Sequence, residues 1–327
     1  MNVNLGSEVK NMANHAENVS VIDNKLHNKK IGSKLKKLFV PFKNPIVIIA
    51  FILLVIECLS LLFALFWALG CSFKSLNDFS ENIFGLPQKW KIENYFKVYN
   101  NLYFQKFAST GYVRYYFPEL FLNTVLYATF PVVVKVVSLA TCAYAVSKYN
   151  FKFNKVIITT VMFVVIYPGV TSVGQRIQFL KAIGFYDSYW ALLYGNIMFA
   201  DYPFLIWLGT FNGISKEYME AAKIDGASNL QTMLRIMFPL ARTVFAIYLI
   251  LGFIGAWNDY MIPLQTMPSM PNLAFCLYQF KSNTINEIAW PMYSLAAAIF
   301  VAIPCFICYC FISPFLVGNL TMGGVKE

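Results

Sequence analysis

Histidine is nearly absent from this sequence of 327 residues, and charged residues are scarce. The two histidines, His15 and His27, lie near the N-terminus, so the rest of the chain has no imidazole for a catalytic triad or an H-E-x-x-H zinc site. Charged residues make up 13% of the chain, against roughly 25% in soluble domains, and hydrophobic residues make up 58%. We therefore expect most of the chain to lie in lipid, and we find no catalytic constellation that favours a membrane-embedded enzyme.

Acidic residues are also few, at 16 against 26 lysines and arginines, which gives a formal net charge of +10. Such a charge can indicate nucleic-acid binding, but eight of the basic residues lie in the first 44 positions, directly before the first apolar run. Basic segments next to a membrane span are retained on the cytoplasmic side. We therefore interpret residues 1–45 as a basic cytoplasmic tail, and we predict no nucleic-acid partner.

The sequence has seven cysteines, an odd number, and most of them lie inside apolar runs. This placement does not predict a disulfide framework. Cys305 and Cys308 have the C-x-x-C spacing of a redox pair, but thiolate chemistry requires a polar and partly exposed site. We therefore interpret the cysteines as small hydrophobic residues.

Six segments of the chain are long and apolar enough to cross about 30 Å of hydrocarbon, which requires roughly 20 residues. Loops rich in lysine and arginine alternate on one side of these segments, which places both termini in the cytoplasm. Residues 70–118 are also basic, but long loops are translocated largely regardless of charge, so we place this segment outside. The predicted spans are Ile46–Leu69, Leu120–Val146, Val156–Val173, Tyr189–Phe211, Leu240–Ile262 and Ile288–Ile312.

Residues 213–239, between the fourth and fifth predicted spans, show the pattern of two short helices joined by a turn. Ser215 can cap a first helix, and Glu217 and Glu220 lie early in it, where carboxylates complement the helix dipole. Gly226 predicts a left-handed turn that ends this helix. An ordinary connection between two spans needs only a few polar residues, so we expect a separate role for this loop.

The second helix of the loop is predicted over Asn229–Phe238. Ser228 and Gln231 have the spacing of a capping box, which opens such a helix. Pro239 suits the first turn of the next span. Apolar residues at i, i+3, i+4 and i+7 predict one apolar face, formed by Leu230, Met233, Leu234 and Met237.

Small residues, Ala221 and Ala222, lie beside the turn and would let the surface of another protein come close. Glu217, Glu220 and Asp225 offer charged contacts around it. We interpret the loop as a knob held by a partner protein. The alternative is a pair of surface helices that only connects two spans.

The loop sequence E-A-A-x-x-D-G-A-S, followed by F-P-L, resembles the EAA loop of permeases from ABC importers. The segments Y-P-F-L-I-W-L-G-T-F, W-N-D-Y-M-I-P-L and V-G-N-L-T-M-G-G-V-K-E are similar to the maltose-type carbohydrate branch of that family. The resemblance extends from Asn123 to Glu327, and the external L-P-Q-K-W-K-I-E-N-Y-F adds a less specific match. The chain departs from the family pattern at Ala241-Arg242-Thr243, where a second proline is usual.

The resemblance implies an all-α polytopic fold, that of a type I ABC importer permease, in the cell membrane of a prokaryote. It implies a second homologous permease subunit, two cytoplasmic ATPase subunits that bind ATP and Mg²⁺, and an extracellular or periplasmic substrate-binding protein that delivers a sugar. This chain has no G-x-x-x-x-G-K-[ST] phosphate loop, so we predict that it is not an enzyme and that its partners hydrolyse ATP. Residues 46–69 are then the first span, 70–118 the external loop, 119–313 the five-helix permease core and 314–327 a cytoplasmic tail.

The resemblance also implies which residues contact the ATPase subunits. In the loop the residues that match the family motif are Glu220, Ala221, Ala222, Asp225 and Gly226, and the charge of Glu217 adds it to the docking residues. In the C-terminal tail they are Thr321, Gly323 and Gly324. A glycerol-phosphate or a peptide is an alternative solute. A self-contained secondary carrier fits less well, because such carriers usually show internal inverted repeats and have no role for this loop.

Three charged residues, Glu57, Lys135 and Asp201, fall inside predicted spans, where an ionised group needs a partner or water. Glu57 and Lys135 each lie about 11 residues from a cytoplasmic end, or roughly 16 Å deep, which favours an ion pair between them. The alternative places Lys135 or Asp201 in the sugar pathway, with amides and aromatic rings as further sugar-binding groups. The candidate pathway residues are Lys135, Asp201, Asn123, Asn196, Tyr167, Trp257 and Asn258.

Overall fold

A computed structural model describes residues 45–108, 111–166, 173–196, 201–282 and 290–320. Most of the basic N-terminal tail lies outside these residues, as do Tyr167, Thr321, Gly323 and Gly324, so their predicted roles stay predictions. The chain divides into two compact units, Met1–Trp67 and Ala68–Glu327. Helix α1, Pro45–Ser72, is 28 residues long, begins in the first unit and carries one charged residue, Glu57.

The predicted external loop contains regular structure. Its elements are helices α2 (Leu76–Glu81) and α3 (Glu93–Asn101) and an antiparallel hairpin of β1 (Phe104–Ala108) and β2 (Gly111–Tyr115). The hairpin pairs Phe104 with Tyr115 and Phe107 with Tyr112, and aromatic residues of this kind favour strands. The fold is mostly helical, as predicted, but the prediction of an all-α class omitted this hairpin.

Buried polar groups fix the path of the chain after α1. Lys74 is fully buried, and its Nζ donates hydrogen bonds to the backbone carbonyls of Asn82 and Ile83. The Asn94 Nδ2 donates to the backbone oxygens of Ser72 and Lys74, at 2.8 and 3.0 Å. These side chains donate to backbone carbonyl groups in a part of the chain where regular secondary structure does not supply the donors.

Helix α4, Phe117–Lys148, is 32 residues long and packs against several helices that come later in the chain. It is followed by α5 (Asn154–Ile166), α6 (Val173–Ala182), α7 (Trp190–Asn196) and α8 (Tyr202–Gly213). Ala140 and Ala143 of α4 are fully buried, and their small side chains leave room for aromatic residues of α8. Those aromatic residues are Phe204, Trp207 and Phe211, all fully buried.

A second part of the core is formed where α4 packs against the C-terminal helices. After α8 the chain forms α9 (Glu217–Ile224), α10 (Asn229–Thr232), a π-helical turn (Met233–Met237), α11 (Phe238–Leu240), α12 (Arg242–Asn258), α13 (Met261–Thr266), α14 (Leu273–Ser282) and α15 (Pro291–Leu320). Leu120, Trp257, Leu273 and Ala296 are buried together, one each from α4, α12, α14 and α15.

Among the described residues, three helical stretches are long and apolar enough to cross a membrane: α1, α4 and Pro291–Cys310 of α15. A fourth crossing results if Asn229–Leu240 and Arg242–Asn258 form one span with a bend of 76°. The third predicted span corresponds to α5, which has 13 residues, and the six crossings together stay a prediction. The fourth predicted span is not one helix, because Asp201 has an extended backbone directly before α8.

Candidate functional site

The turn predicted in the loop at residues 213–239 is present. Gly226 has φ of +78°, a left-handed conformation that L side chains rarely adopt, and its N–H donates to the Lys223 carbonyl at 3.1 Å. The Ala227 N–H then donates to the Ala222 carbonyl at 2.9 Å, which closes the end of α9. At the start of α9, the Ser215 Oγ accepts a hydrogen bond from the Glu217 N–H at 3.2 Å. Backbone geometry therefore defines the first half of this loop, which we call the docking loop.

The second half of the docking loop begins with the predicted capping box. The Ser228 N–H donates to the Gln231 Oε1 at 2.8 Å, and the Gln231 N–H donates to the Ser228 Oγ at 3.2 Å. The single regular helix predicted over Asn229–Phe238 is wrong, because the π-helical turn interrupts it. Pro239 explains the interruption, since it lacks the N–H that would continue the ladder and its ring crowds the preceding turn.

Exposure divides the docking loop into two faces. Of the six predicted docking residues, five are exposed, but Ala222 is buried and packs within this chain. The predicted apolar face is also divided, because Met237 is fully buried while its other members are not. The large apolar residues exposed on the loop are Tyr218, Ile224 (86%), Leu230 (61%) and Leu234 (50%). Their exposure gives the loop an apolar surface beside its acidic residues.

Two polar contacts fasten the start of the docking loop to the end of α4. The buried Lys148 Nζ donates to the Ile214 carbonyl at 2.5 Å. The Ser147 Oγ donates to the Asn212 Oδ1 at 2.6 Å. The sequence indicates a cytoplasmic cation at position 148, but it does not indicate this bond, which joins residues 66 positions apart.

The loop ends at a sharp bend before α12. Ala241 has φ of −90° and ψ of 9° and is buried, and the helical axes on its two sides differ by 76°. This is the position where the chain departs from the family pattern of two prolines. The bend forms at Ala241 with Pro239 alone.

A cavity of about 370 Å³ lies between α4, α6, α7, α8 and α12. Lys135 lines it, and the Lys135 Nζ lies 2.7 Å from the Asp201 Oδ2. The sequence favoured Glu57 as the partner of this lysine, so the partner is corrected to Asp201. Asp201 is able to approach because it caps α8, where its Oδ1 accepts the Tyr202 N–H at 2.8 Å, and Pro203 in the first turn favours a helix start here.

The structure brings only some of the other candidate pathway residues to the cavity. Asn196 lines it, and its Nδ2 donates to the Leu192 carbonyl at 2.7 Å. Asn123 instead bonds the Pro271 carbonyl and the Tyr189 hydroxyl. Trp257 is in the core, where its Nε1 donates to the Val301 carbonyl, and Asn258 bonds the Ile254 carbonyl of its own helix. Within the described residues, these last three do not line the cavity, so their proposed role in the sugar pathway is not supported.

Other side chains of the cavity were not predicted. The Tyr127 hydroxyl donates to the Asp259 Oδ2 at 2.5 Å, and the Asp259 Oδ1 accepts the N–H groups of Met261 and Ile262. Arg176 of α6 also lines the cavity. Asp259 could have been suspected from the W-N-D-Y motif, and Arg176 from its place between two apolar runs.

Comparisons with known proteins agree with this architecture. A family model described as "Binding-protein-dependent transport system inner membrane component" matches residues 31–316. The trehalose/maltose transport system permease protein MalG of Thermococcus litoralis is 28% identical over 297 residues, which cover 87% of this chain and 97% of the relative. The diacetylchitobiose uptake system permease protein NgcG of Streptomyces coelicolor is 24% identical over 275 residues, which cover 83% and 86% of the two chains.

Two solved structures have a similar fold. A bacterial ABC transporter involved in the import of the acidic polysaccharide alginate matches with a TM-score of 0.66 at 23% identity, over 82% of this chain and 95% of that chain. A bacterial alginate ABC transporter in complex with an alginate pentasaccharide-bound periplasmic protein matches with a TM-score of 0.57 at 15% identity, over 84% and 96%. Because the family model covers most of the sequence, this protein is a multi-pass membrane protein that belongs to the family of inner membrane components of binding-protein-dependent transport systems.

Proposed function

We propose that this chain is the permease subunit of an ATP-binding-cassette importer and that it moves a sugar or oligosaccharide delivered by an external binding protein. The observation that carries the proposal is the docking loop, in which an E-A-A-x-x-D-G sequence surrounds a left-handed turn at Gly226. A simple connection between α8 and α12 would need neither this turn nor the capping box after it. A rigid exposed knob is what a separate ATPase subunit needs in order to hold a membrane protein.

The cavity and the relatives support a saccharide as the solute. The names of the relatives refer to trehalose, maltose and diacetylchitobiose. The cavity offers this chain's own polar and aromatic groups to hydroxyls and sugar rings, among them Lys135, Asn196, Tyr202 and Tyr248. Comparison of uptake of oligosaccharides, glycerol-phosphate and peptides by the whole transporter would separate these solute classes.

In the proposed arrangement the chain crosses the membrane six times, with both termini and the docking loop in the cytoplasm and residues 70–118 outside. The alternation of basic loops supports this orientation. The partners are a second homologous permease, two ATPase subunits that bind ATP and Mg²⁺, and an extracellular or periplasmic binding protein. The membrane is the cell membrane of a prokaryote.

The proposed cycle is a rigid-body change between two states. ATP binding closes the ATPase subunits, and the docking loop moves with them because its two halves are capped and its turn is fixed. The Lys148 and Ser147 contacts pass this movement to α4. Helix α4 also carries Lys135, so movement of the loop changes the cavity wall.

Replacement of Gly226 by proline tests the proposal, because proline cannot reach a φ of +78° and has no N–H for the Lys223 carbonyl. We expect the variant to insert into the membrane normally. When sugar-loaded binding protein is added to the purified complex, ATP hydrolysis should be about tenfold lower than in the wild type, because the turn is strained. Gly226→Asn is the matched control, because asparagine tolerates the left-handed region, and it should retain most of the stimulation. Normal stimulated hydrolysis in Gly226→Pro would contradict the docking role.

A further inference from the structure

Four charged side chains lie in or against the cavity, and their formal charges add to zero. Lys135 and Asp201 form an ion pair of 2.7 Å. Asp259 accepts the Tyr127 hydroxyl and two backbone N–H groups, so both of its oxygens have partners. Three of the four charged groups are therefore held by contacts within the protein.

The fourth charged group, Arg176, differs from these three. It lines the same cavity and interacts electrostatically with Tyr127, but among the described residues no hydrogen-bond acceptor or carboxylate lies within contact distance of its guanidinium. A guanidinium stays charged and presents five N–H donors, so within the described part of the chain the Arg176 donors are left for water or a ligand.

The geometry of these donors favours one kind of ligand. A guanidinium forms two parallel hydrogen bonds with a carboxylate, and such charge-assisted pairs are stronger than bonds to neutral hydroxyls. Arg176 is only partly exposed where it lines the cavity, so an anionic ligand would complement its charge. Tyr202 and Tyr248 line the same cavity and offer aromatic faces to a sugar ring.

We propose that the transported saccharide carries a carboxylate, as a uronic acid does, and that Arg176 binds this group as the residue that determines specificity. This inference rests on the proposed function, since it names the class of saccharide that the cavity accepts. Lys135 does not compete for the carboxylate, because its ammonium group is already paired with Asp201.

Equilibrium binding to the whole transporter in lipid nanodiscs tests this inference. The probes are a radiolabelled oligouronate, the neutral oligosaccharide made from it by reduction of its carboxyl groups, and a phosphate ester of that neutral sugar. For the wild-type complex we expect the oligouronate to bind at least about tenfold more tightly than the neutral form, as two added charge-assisted hydrogen bonds would produce.

Arg176→Gln should weaken oligouronate binding by about tenfold to a hundredfold and change neutral-sugar binding by less than about threefold. Arg176→Lys keeps the charge without the paired donors and should give an intermediate affinity. Lys181→Gln is the matched control, because Lys181 lies on the same helix but contacts the Tyr186 ring, and its affinities should equal those of the wild type.

Equal wild-type affinities for the uronate and the neutral sugar would overturn the inference, and so would an equal loss of both in Arg176→Gln. Tighter binding of the phosphate ester than of the uronate would assign Arg176 to a phosphorylated sugar and overturn the carboxylate assignment. Binding of no probe, with ATPase subunits present in the purified complex, would overturn this inference alone. Absence of the ATPase subunits from the purified complex would instead contradict the proposed function.

Discussion

The docking loop and the cavity are stabilised in different ways. The loop is one continuous stretch, and its defining contacts join residues at most five positions apart, such as those between Ser228 and Gln231 and between Ala222 and Ala227. The cavity is assembled from α4, α6, α7, α8 and α12, and its contacts join residues such as Tyr127 and Asp259, which are 132 positions apart. The surface proposed to bind the ATPase is therefore encoded in one short segment. The cavity proposed to select the solute depends on packing across the whole unit.

Removal of the lysine of the cavity ion pair should have the largest effect on stability. Lys135→Leu leaves Asp201 without its partner, and because both side chains are about one-third exposed we expect a loss of about 2 kcal/mol in the free energy of unfolding. Thermal unfolding of the purified complex measures this loss. The double variant Lys135→Leu with Asp201→Asn should recover about half of the loss, because it removes the unpaired charge.

The control for this prediction is Lys152→Leu, which changes an exposed lysine outside the cavity and should alter the unfolding midpoint little. Additive effects of the Lys135 and Asp201 substitutions would show that the two residues stabilise the protein separately. That result would show that the ion pair between Lys135 and Asp201 does not organise the cavity.

The contact between the two regions should have the next largest effect. Lys148→Met removes the donor to the Ile214 carbonyl, and we expect about tenfold less sugar uptake per ATP hydrolysed, a usual size for coupling between sites. ATPase subunits should still co-purify, because the turn at Gly226 is intact. Uptake and hydrolysis measured on the same proteoliposomes give this ratio.

A disulfide checks the same contact without removing it. Ser147→Cys with Asn212→Cys puts thiols on the two side chains whose oxygens now lie 2.6 Å apart, and oxidation can join them. If α4 and the start of the loop move as one body, oxidation should leave uptake nearly unchanged. Uptake that stops on oxidation and returns with reductant would show that the two elements separate during transport.

The smallest predicted effect concerns packing beside the cavity. A Cβ at Gly252 would lie 2.6 Å from the Val132 Cγ1, so Gly252→Ala should push α12 from α4 and lower the free energy of unfolding by about 1 kcal/mol. Gly255→Ala is the matched control, because a Cβ there meets nothing within 4 Å, and this variant should unfold at or above the wild-type midpoint, since alanine favours a helix more than glycine does. Equal midpoints for the two variants would indicate that α12 shifts without cost.

Local signals explain what could be predicted from the sequence. Gly226, Ser228 and Gln231 act through neighbouring backbone groups, so their types and spacing were enough to predict the turn and the capping box. The apolar runs likewise predicted α1, α4 and α15. The start of α8 was missed because hydrophobicity alone does not report that Asp201 caps a helix.

Contacts between distant residues explain what could not be predicted. An apolar window gives the depth of Lys135 but not the direction of its side chain, so the carboxylate chosen for it was the wrong one. Trp257 was a candidate for sugar stacking, but its indole N–H bonds a carbonyl of α15 in the core. The hairpin of β1 and β2 was missed because its strands are only five residues each and lie within a long polar connection.

The π-helical turn lets one short segment face two different surroundings, the surface before the turn and the core at its end. An extra residue in a helical turn rotates the residues after it by about 100° relative to the residues before it. Leu230 precedes the turn and is exposed, whereas Met237 ends it and is fully buried. We therefore expect Leu230 to change with the ATPase subunit of each transporter, while Met237 remains part of the core.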